Sequence, residues 1–232
     1  MQFVLMLCFF FTQRLWSSSQ QAAHKDVPHA PLAATLRLPH VWLAAVTFMI
    51  YVGLEVSASQ WSFTLFTQSR GVPLEIAGYW VSGYWGSLTL GRIVIGFVAN
   101  RISTARLLLT AMIGALISTL LIWLNPATWL ALGALGMLGF CLATIFPSLM
   151  SDTPHRISAA HVPNAVGMQM AFSNLGVSVV PALVGIVGTS FGLEWISFSL
   201  VVLALLLIGL YISLRHGARS QPGEGMRPVA CY

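Results

Sequence analysis

Two ionisable side chains lie inside stretches otherwise apolar enough to cross a bilayer: Glu55 in Val41–Phe66 and Arg92 in Ile76–Ala99. Holding a charge at the bilayer centre costs ~2.5–3.5 kcal/mol on insertion scales, so such residues mark solute pathways, proton relays or paired contacts. Glu55 has polar company. Thr47, Tyr51, Glu55, Ser59 and Ser62 recur at intervals of four, four, four and three, which is one face of a helix. Gln60 lies beside them. A carboxyl among hydroxyls can accept hydrogen bonds from a polar solute or exchange a proton. Two readings stay open: a stripe lining a water-filled cavity, and a structural carboxyl bonded between helices.

Arg92 belongs to a segment, Gly83–Arg106, that starts as an apolar helix and ends in Gly96-x-x-x-Asn100-Arg101 and a short polar turn. The same stretch carries Trp80, Tyr84 and Ser87 on one face and Trp85, Thr89 and Arg92 on another. Aromatic rings with hydroxyls suit stacking on and bonding to a sugar-like solute, and they equally suit packing. Further along, Gln169 with Ser173, and Asn174 with Ser178 and Pro181, place polar groups and a helix-breaking residue inside a third apolar stretch. Small residues at packing intervals, Thr110, Gly114 and Ser118, and Gly133, Gly136 and Gly139, predict close helix contacts.

Several chemistries are excluded by what these stretches lack. His24, His29, His40, His155, His161 and His216 all fall in loops or at the ends of apolar runs. An intramembrane metalloprotease or a Ser-His hydrolase needs histidine at membrane depth. No Walker loop is present for ATP-driven work. The expectation is a protein without cofactor or metal and not an enzyme. Cys8, Cys141 and Cys231 are odd in number and far apart, so they define no disulfide or zinc framework.

The elements that must position these groups follow from composition. Of 232 residues, 57% are hydrophobic and 7% charged, and the mean hydropathy is +0.82. A soluble domain carries about 25% charged residues. The chain is therefore an integral membrane protein. Six spans are expected: Val41–Phe66, Ile76–Ala99, Leu107–Leu124, Trp129–Met150, Ala165–Thr189 and Trp195–Leu214. Each has about 18–26 residues, enough to cross a ~30 Å hydrocarbon core as a helix.

The loops set the orientation. Nine of the eleven Lys and Arg residues fall on one side, in Arg14–His40, Arg101–Arg106, Ser151–Asn164 and from Arg215 onward. The other side holds Arg70 alone, and Arg92 lies within a span. The positive-inside rule puts the richer side, and both termini, in the cytoplasm. The net charge of +5 is thus topological and favours lipid headgroups. No basic domain is present to bind nucleic acid. Trp42, Trp123, Trp129 and Trp195 fall at span ends, where indole rings prefer to sit. Residues 17–40 look like a mobile cytoplasmic linker, and 215–232 like a disordered cytoplasmic tail. The apolar run Met1–Phe11 is too short to span. It has the length of a signal-peptide core but lacks its basic flank, and residues 1–16 are expected to be the end of a helix begun upstream.

Taken together, these residues resemble a major facilitator superfamily transporter, specifically its C-terminal half. GRIVIGFVANRIS is similar to the superfamily's loop motif Gly-x-x-x-Asp-Arg-x-Gly-Arg. Gly96 and Arg101 match it, whereas Asn100 replaces the aspartate and Ser103 the second glycine. YVGLEVSASQW (Tyr51–Trp61), YWGSLTLGR (Tyr84–Arg92) and GFCLATIFPSLMSDTPHR (Gly139–Arg156) resemble the fucose-permease-like sugar:proton symporter branch. The resemblance implies an all-α polytopic fold in which residues 41–214 form two inverted three-helix repeats. It implies alternating-access transport of a small polar solute, a sugar being the branch's own, driven by protons. Glu55, Tyr51, Ser59, Gln60, Tyr84, Gln169 and Asn174 would then line the substrate cavity. Arg92, Gly96, Asn100 and Arg101 would belong to a cytoplasmic gate. The expected partners are the solute, membrane lipid, and a missing N-terminal six-helix half or a second copy, in a plasma or inner membrane. The expectation from another class is a non-transporting scaffold or regulatory fragment that associates with a partner half.

Overall fold

The computed structural model describes Phe10, Thr12 and residues 30–98 and 102–219, with side chains as far as 216. Six long helices carry the fold: α1 (Pro39–Thr64), α2 (Leu74–Val98), α3 (Thr104–Leu124), α4 (Thr128–Asp152), α5 (Val162–Phe191) and α6 (Glu194–Arg219). Lipid offers the backbone no hydrogen bonds, so each spanning stretch closes its own ladder. Start and stop signals lie in the loops. Pro39 occupies the first turn of α1 after extended Leu38, where a missing N–H costs nothing. Asn125 ends α3 in the left-handed region (φ 43°) and donates its N–H to the Leu121 carbonyl. At its far end α1 widens into a π-helical turn, Leu65–Ser69, closed by the Val72 N–H on the Phe66 carbonyl at 2.9 Å.

Five of the described helices are long and apolar enough to cross a membrane: Pro39–Ser69, Thr104–Leu124, Thr128–His155, Ala159–Phe191 and Glu194–His216. The sequence predicts six. The exception is α2, which has the length, 25 residues, but not the hydropathy. Trp80, Tyr84, Trp85, Arg92 and its glycines dilute the apolar content of a helix that still packs along α4. Beyond the sixth span, α6 runs on to Arg219, so the tail starts as helix rather than disorder at 215. The end of the linker is also ordered. Leu32–Thr35 forms one helical turn, and the Ala30 N–H donates to the Ala160 carbonyl at 3.1 Å. Asn164 Nδ2 donates to the Ala30 carbonyl, and Thr35 Oγ1 lies 2.8 Å from His161 Nδ1. Residues 1–29 otherwise lie outside the described set, apart from Phe10 and Thr12.

The main helix packings are α1 on α5, α1 on α6, α2 on α4, α3 on α4 and α3 on α6. Exchanging the first three helices for the last three maps this set onto itself. Because consecutive helices run antiparallel, the second trio has the opposite sense in the membrane. The arrangement is that of two inverted three-helix repeats.

Glycine makes the two equivalent crossings possible. On α5, a Cβ at Gly176 would collide with the Met49 backbone of α1, and one at Gly53 of α1 would sit 2.6 Å from Val180. On α4, a Cβ at Gly139 would strike the Tyr84 backbone of α2, and one at Gly91 of α2 would meet the Phe140 carbonyl at 2.8 Å. Within lipid, close approach of this kind supplies the association that water-driven burial cannot. Of the small residues singled out by spacing, Gly139 makes such a backbone crossing, Gly114 sits against Cys141 Sγ, and Gly133 faces open space.

Gly176→Ala is expected to destabilise the bundle by ~1–3 kcal/mol through overpacking. Gly83→Ala, at a helical glycine with nothing within 4 Å, should leave stability unchanged or raise it. Thermal unfolding in detergent separates the two; equal midpoints for Gly176→Ala and wild type would contradict the backbone crossing.

Candidate functional site

The polar stripe of α1 faces the inside of the bundle. Thr47, Tyr51, Ser59 and Ser62 are buried and Glu55 is half-buried. Three of its hydroxyls are bonded back to their own helix: Thr47 to the Leu43 carbonyl at 2.7 Å, Ser59 to Val56 at 2.9 Å and Ser62 to Ala58. This is the usual resort of Ser and Thr where no other acceptor is at hand. Their hydrogens are engaged within the helix, whereas the carboxyl of Glu55 is bonded to a neighbouring side chain.

Glu55 is held from two sides. The Tyr51 hydroxyl, one turn earlier, donates a short hydrogen bond to Oε2. The same hydroxyl lies 3.1 Å from the Leu142 carbonyl of α4. From α2, the Tyr84 hydroxyl donates to the Glu55 main-chain carbonyl at 3.0 Å. Both tyrosines are fully buried, and Phe146 of α4 packs its ring against Tyr51 and Phe48. Tyrosine has one hydrogen to give. With Glu55 ionised, that hydrogen belongs to the carboxylate. With Glu55 protonated, the carboxyl itself donates to the Tyr51 oxygen, and the tyrosine hydrogen is released to the Leu142 carbonyl. The Tyr51 hydroxyl thus stands between a side chain of α1 and the backbone of α4.

The other expected cavity residues divide. Gln60 and Asn174 are exposed, Asn174 on the outer side of α5. Gln169 is 1% exposed and pairs with Thr153, its Nε2 donating to Oγ1 at 3.1 Å. Together with Thr47, Phe48, Leu149 and Arg156 it lines a small interior cavity of about 20 Å³ near the loop joining α4 to α5. It is not brought to Glu55. Of the gate residues, Arg92 is exposed on α2 beside Trp85 and Thr89. It forms no hydrogen bond or salt bridge with a described residue, although its charge acts on Glu55 and Tyr51 through space. Gly96 is exposed with open space around it. Asn100 and Arg101 lie outside the described residues. Among the described residues no cluster of His, Cys, Asp and Glu could hold a metal ion.

Several contributors carry little signal in sequence. The Leu142 carbonyl carries none, because every residue has one. Trp61 reaches across to α5 and donates its indole N–H to the Pro181 carbonyl at 2.9 Å. The Asp152–Arg156 ion pair was readable from its spacing of four. Arg70, just after the π-helical turn, and Glu194, at the start of α6, pair at 2.8 Å.

The sequence that forms these six helices has counterparts among known proteins. Residues 43–229 match the Major Facilitator Superfamily. The chain belongs to that superfamily. Its members are multi-pass membrane transporters rather than enzymes. The chain is also similar to bypass of stop codon protein 6 of Saccharomyces cerevisiae, 25% identical over 176 residues, covering 69% of this chain and 34% of that protein. It thus spans about a third of the length of the relative it matches. The superfamily match extends across all six helices and does not single out a sugar-permease branch.

Tyr51→Phe removes the hydroxyl shared by Glu55 and Leu142 and should leave the carboxyl freer. A lipid-soluble carbodiimide, which attacks protonated carboxyls, is expected to label Glu55 faster in Tyr51→Phe than in wild type. Peptide mass spectrometry reads the rate, and an unchanged or slower rate would count against the restraint.

Proposed function

We propose that the chain forms one six-helix half of a secondary transporter that moves a small polar solute, of sugar type, by alternating access coupled to protons. The observation that carries this is the Tyr51 hydroxyl placed between the Glu55 carboxyl and the Leu142 carbonyl. Protonation of Glu55 redirects that hydroxyl from its own helix to α4. One proton thereby changes the coupling between the first helix of each repeat, which is the kind of bistable contact alternating access needs. Glu55 serves as the proton-bearing group and as a hydrogen-bond acceptor toward solute. Tyr51 and Tyr84 position it.

The outward faces of α2 and α5 support a partner. These helices exchange under the repeat symmetry, and both present polar groups: Trp85, Thr89 and Arg92 on one, Asn174 and Ser178 on the other. An arginine at membrane depth is costly against lipid and tolerable against water or protein. The two faces therefore suit a second six-helix unit across a solute path, whether a separate N-terminal half or another copy. The likeness of Tyr51–Trp61 and Tyr84–Arg92 to the fucose-permease-like branch supports a sugar. The loop charges support an orientation with the Arg156 loop and the end of α6 in the cytoplasm of a plasma or inner membrane. Arg92 and Gly96 then sit toward the cytoplasmic gate, with Asn100 and Arg101 beyond them.

The test is uptake of candidate monosaccharides and polyols into proteoliposomes holding the chain together with a co-expressed six-helix partner. Glu55→Gln keeps the shape but carries no exchangeable proton. It should abolish the dependence of uptake on the pH gradient and cut accumulation about tenfold, the scale of one charged hydrogen bond. Wild-type dependence on pH in Glu55→Gln would refute the role of Glu55.

A further inference from the structure

A second opening lies far from Glu55, at the end of the bundle where Arg70 sits. A cavity of about 200 Å³ is lined by Trp123 at the end of α3 and by Glu194, Trp195 and Phe198 at the start of α6. The rings line it as a set and leave it open to the surface. Phe198 stands 5.4 Å from Trp123 and 5.4 Å from Trp195, the latter edge to face. Neither indole N–H has a protein acceptor among the described residues.

Behind the cavity, Arg70 fixes the carboxylate. Its Nε and Nη2 reach Glu194 at 3.0 and 2.8 Å, Nη2 also donates to the Ile122 carbonyl at 2.7 Å, and the guanidinium lies over the Phe66 ring. Ser69 donates a further bond to Glu194 at 2.7 Å. The two charges differ in what they present. The Arg70 side chain is 3% exposed, whereas that of Glu194 is 51% exposed. A group entering the cavity meets the carboxylate first and the guanidinium only behind it.

Aromatic faces beside an exposed carboxylate recognise a cation with a diffuse charge. Indole N–H groups at the rim donate to phosphate or ester oxygens. The cavity also lies at the membrane–water boundary, where α3 ends and α6 begins. We propose that it binds the quaternary ammonium headgroup of a zwitterionic phospholipid. A lone interfacial tryptophan needs no ligand, but three rings converging on a carboxylate that an arginine has pinned form a built site. This inference is independent of the transport reading, since it involves neither Glu55 nor the faces of α2 and α5.

The test is native mass spectrometry of the purified chain, delipidated and offered phosphatidylcholine and phosphatidylglycerol of equal chain length. Wild type should retain the choline lipid about fivefold over the glycerol lipid or better. Trp195→Leu should lose that preference. Trp129→Leu, at a neighbouring 67% exposed ring that does not line the cavity, should keep it. Glu194→Gln should weaken retention, with its thermal midpoint recorded because it also disturbs Arg70. In a separate arm, tetramethylammonium chloride should compete with the choline lipid but bind more weakly by itself. Equal retention of the two lipids, or a preference that survives Trp195→Leu, would overturn the proposal. Tetramethylammonium binding as tightly as the lipid would overturn the lipid as occupant.

Discussion

A hydrocarbon solvent forms no hydrogen bonds, and the structure of this chain is arranged around that fact. A polar group carried into the bilayer gains by finding its partner on the protein, and among the described residues only a few buried ones, such as the hydroxyl of Ser57, do not. The hydroxyls of Thr47, Ser59 and Ser62 meet the demand locally, on the carbonyls of their own helix. Glu55 cannot, and recruits Tyr51 from one turn away and, through it, α4. Gln169 recruits Thr153. Arg92 and Asn174 remain on the outer faces of α2 and α5, where the same rule turns an exposed polar group into evidence about what lies opposite.

Helices that gain nothing from expelling water must associate by fit. The two crossings closest in space, α1 with α5 and α2 with α4, are equivalent under the exchange of repeats, and each is opened by a glycine on both partners. Beside them, α1 and α4 also meet each other directly. That is why the Tyr51 hydroxyl meets a carbonyl of α4. The rings of buried Phe48 and Tyr51 pack against half-buried Phe146 between these two helices.

Much of this was legible in the sequence. Helix positions follow from runs of apolar residues, and the structure extends or trims them by a few residues. Six long helices form where six spans are expected, and only α2 carries enough polar and aromatic residues to fall short by hydropathy. Glu55 and Tyr51 could be paired from a spacing of four. The third member, a carbonyl on α4, has no signature, and its approach depends on a crossing angle no local pattern encodes. Gln169 was grouped with Glu55 because both are polar and within spans. Depth along the helix axis separates them: with Gly176 at the level of Met49, Gln169 lies about two turns toward the loop from that level and Glu55 nearly two turns away from it on the other side. Linker composition suggested mobility, yet residues 30–36 are fastened by side chains of the α4–α5 loop that look unremarkable in sequence.

That fastening has a mechanical consequence. The chain is anchored to the second repeat, at Ala160, His161 and Asn164, before it enters the first at Pro39. A pull transmitted through residue 30 is delivered to the base of α5, with only a short strap of residues between that anchor and α1. The strap acts as a tie-rod across the two trios. At the opposite end of the bundle the Arg70–Glu194 pair joins the same two trios, the turn after α1 to the start of α6, so they are tied at both ends.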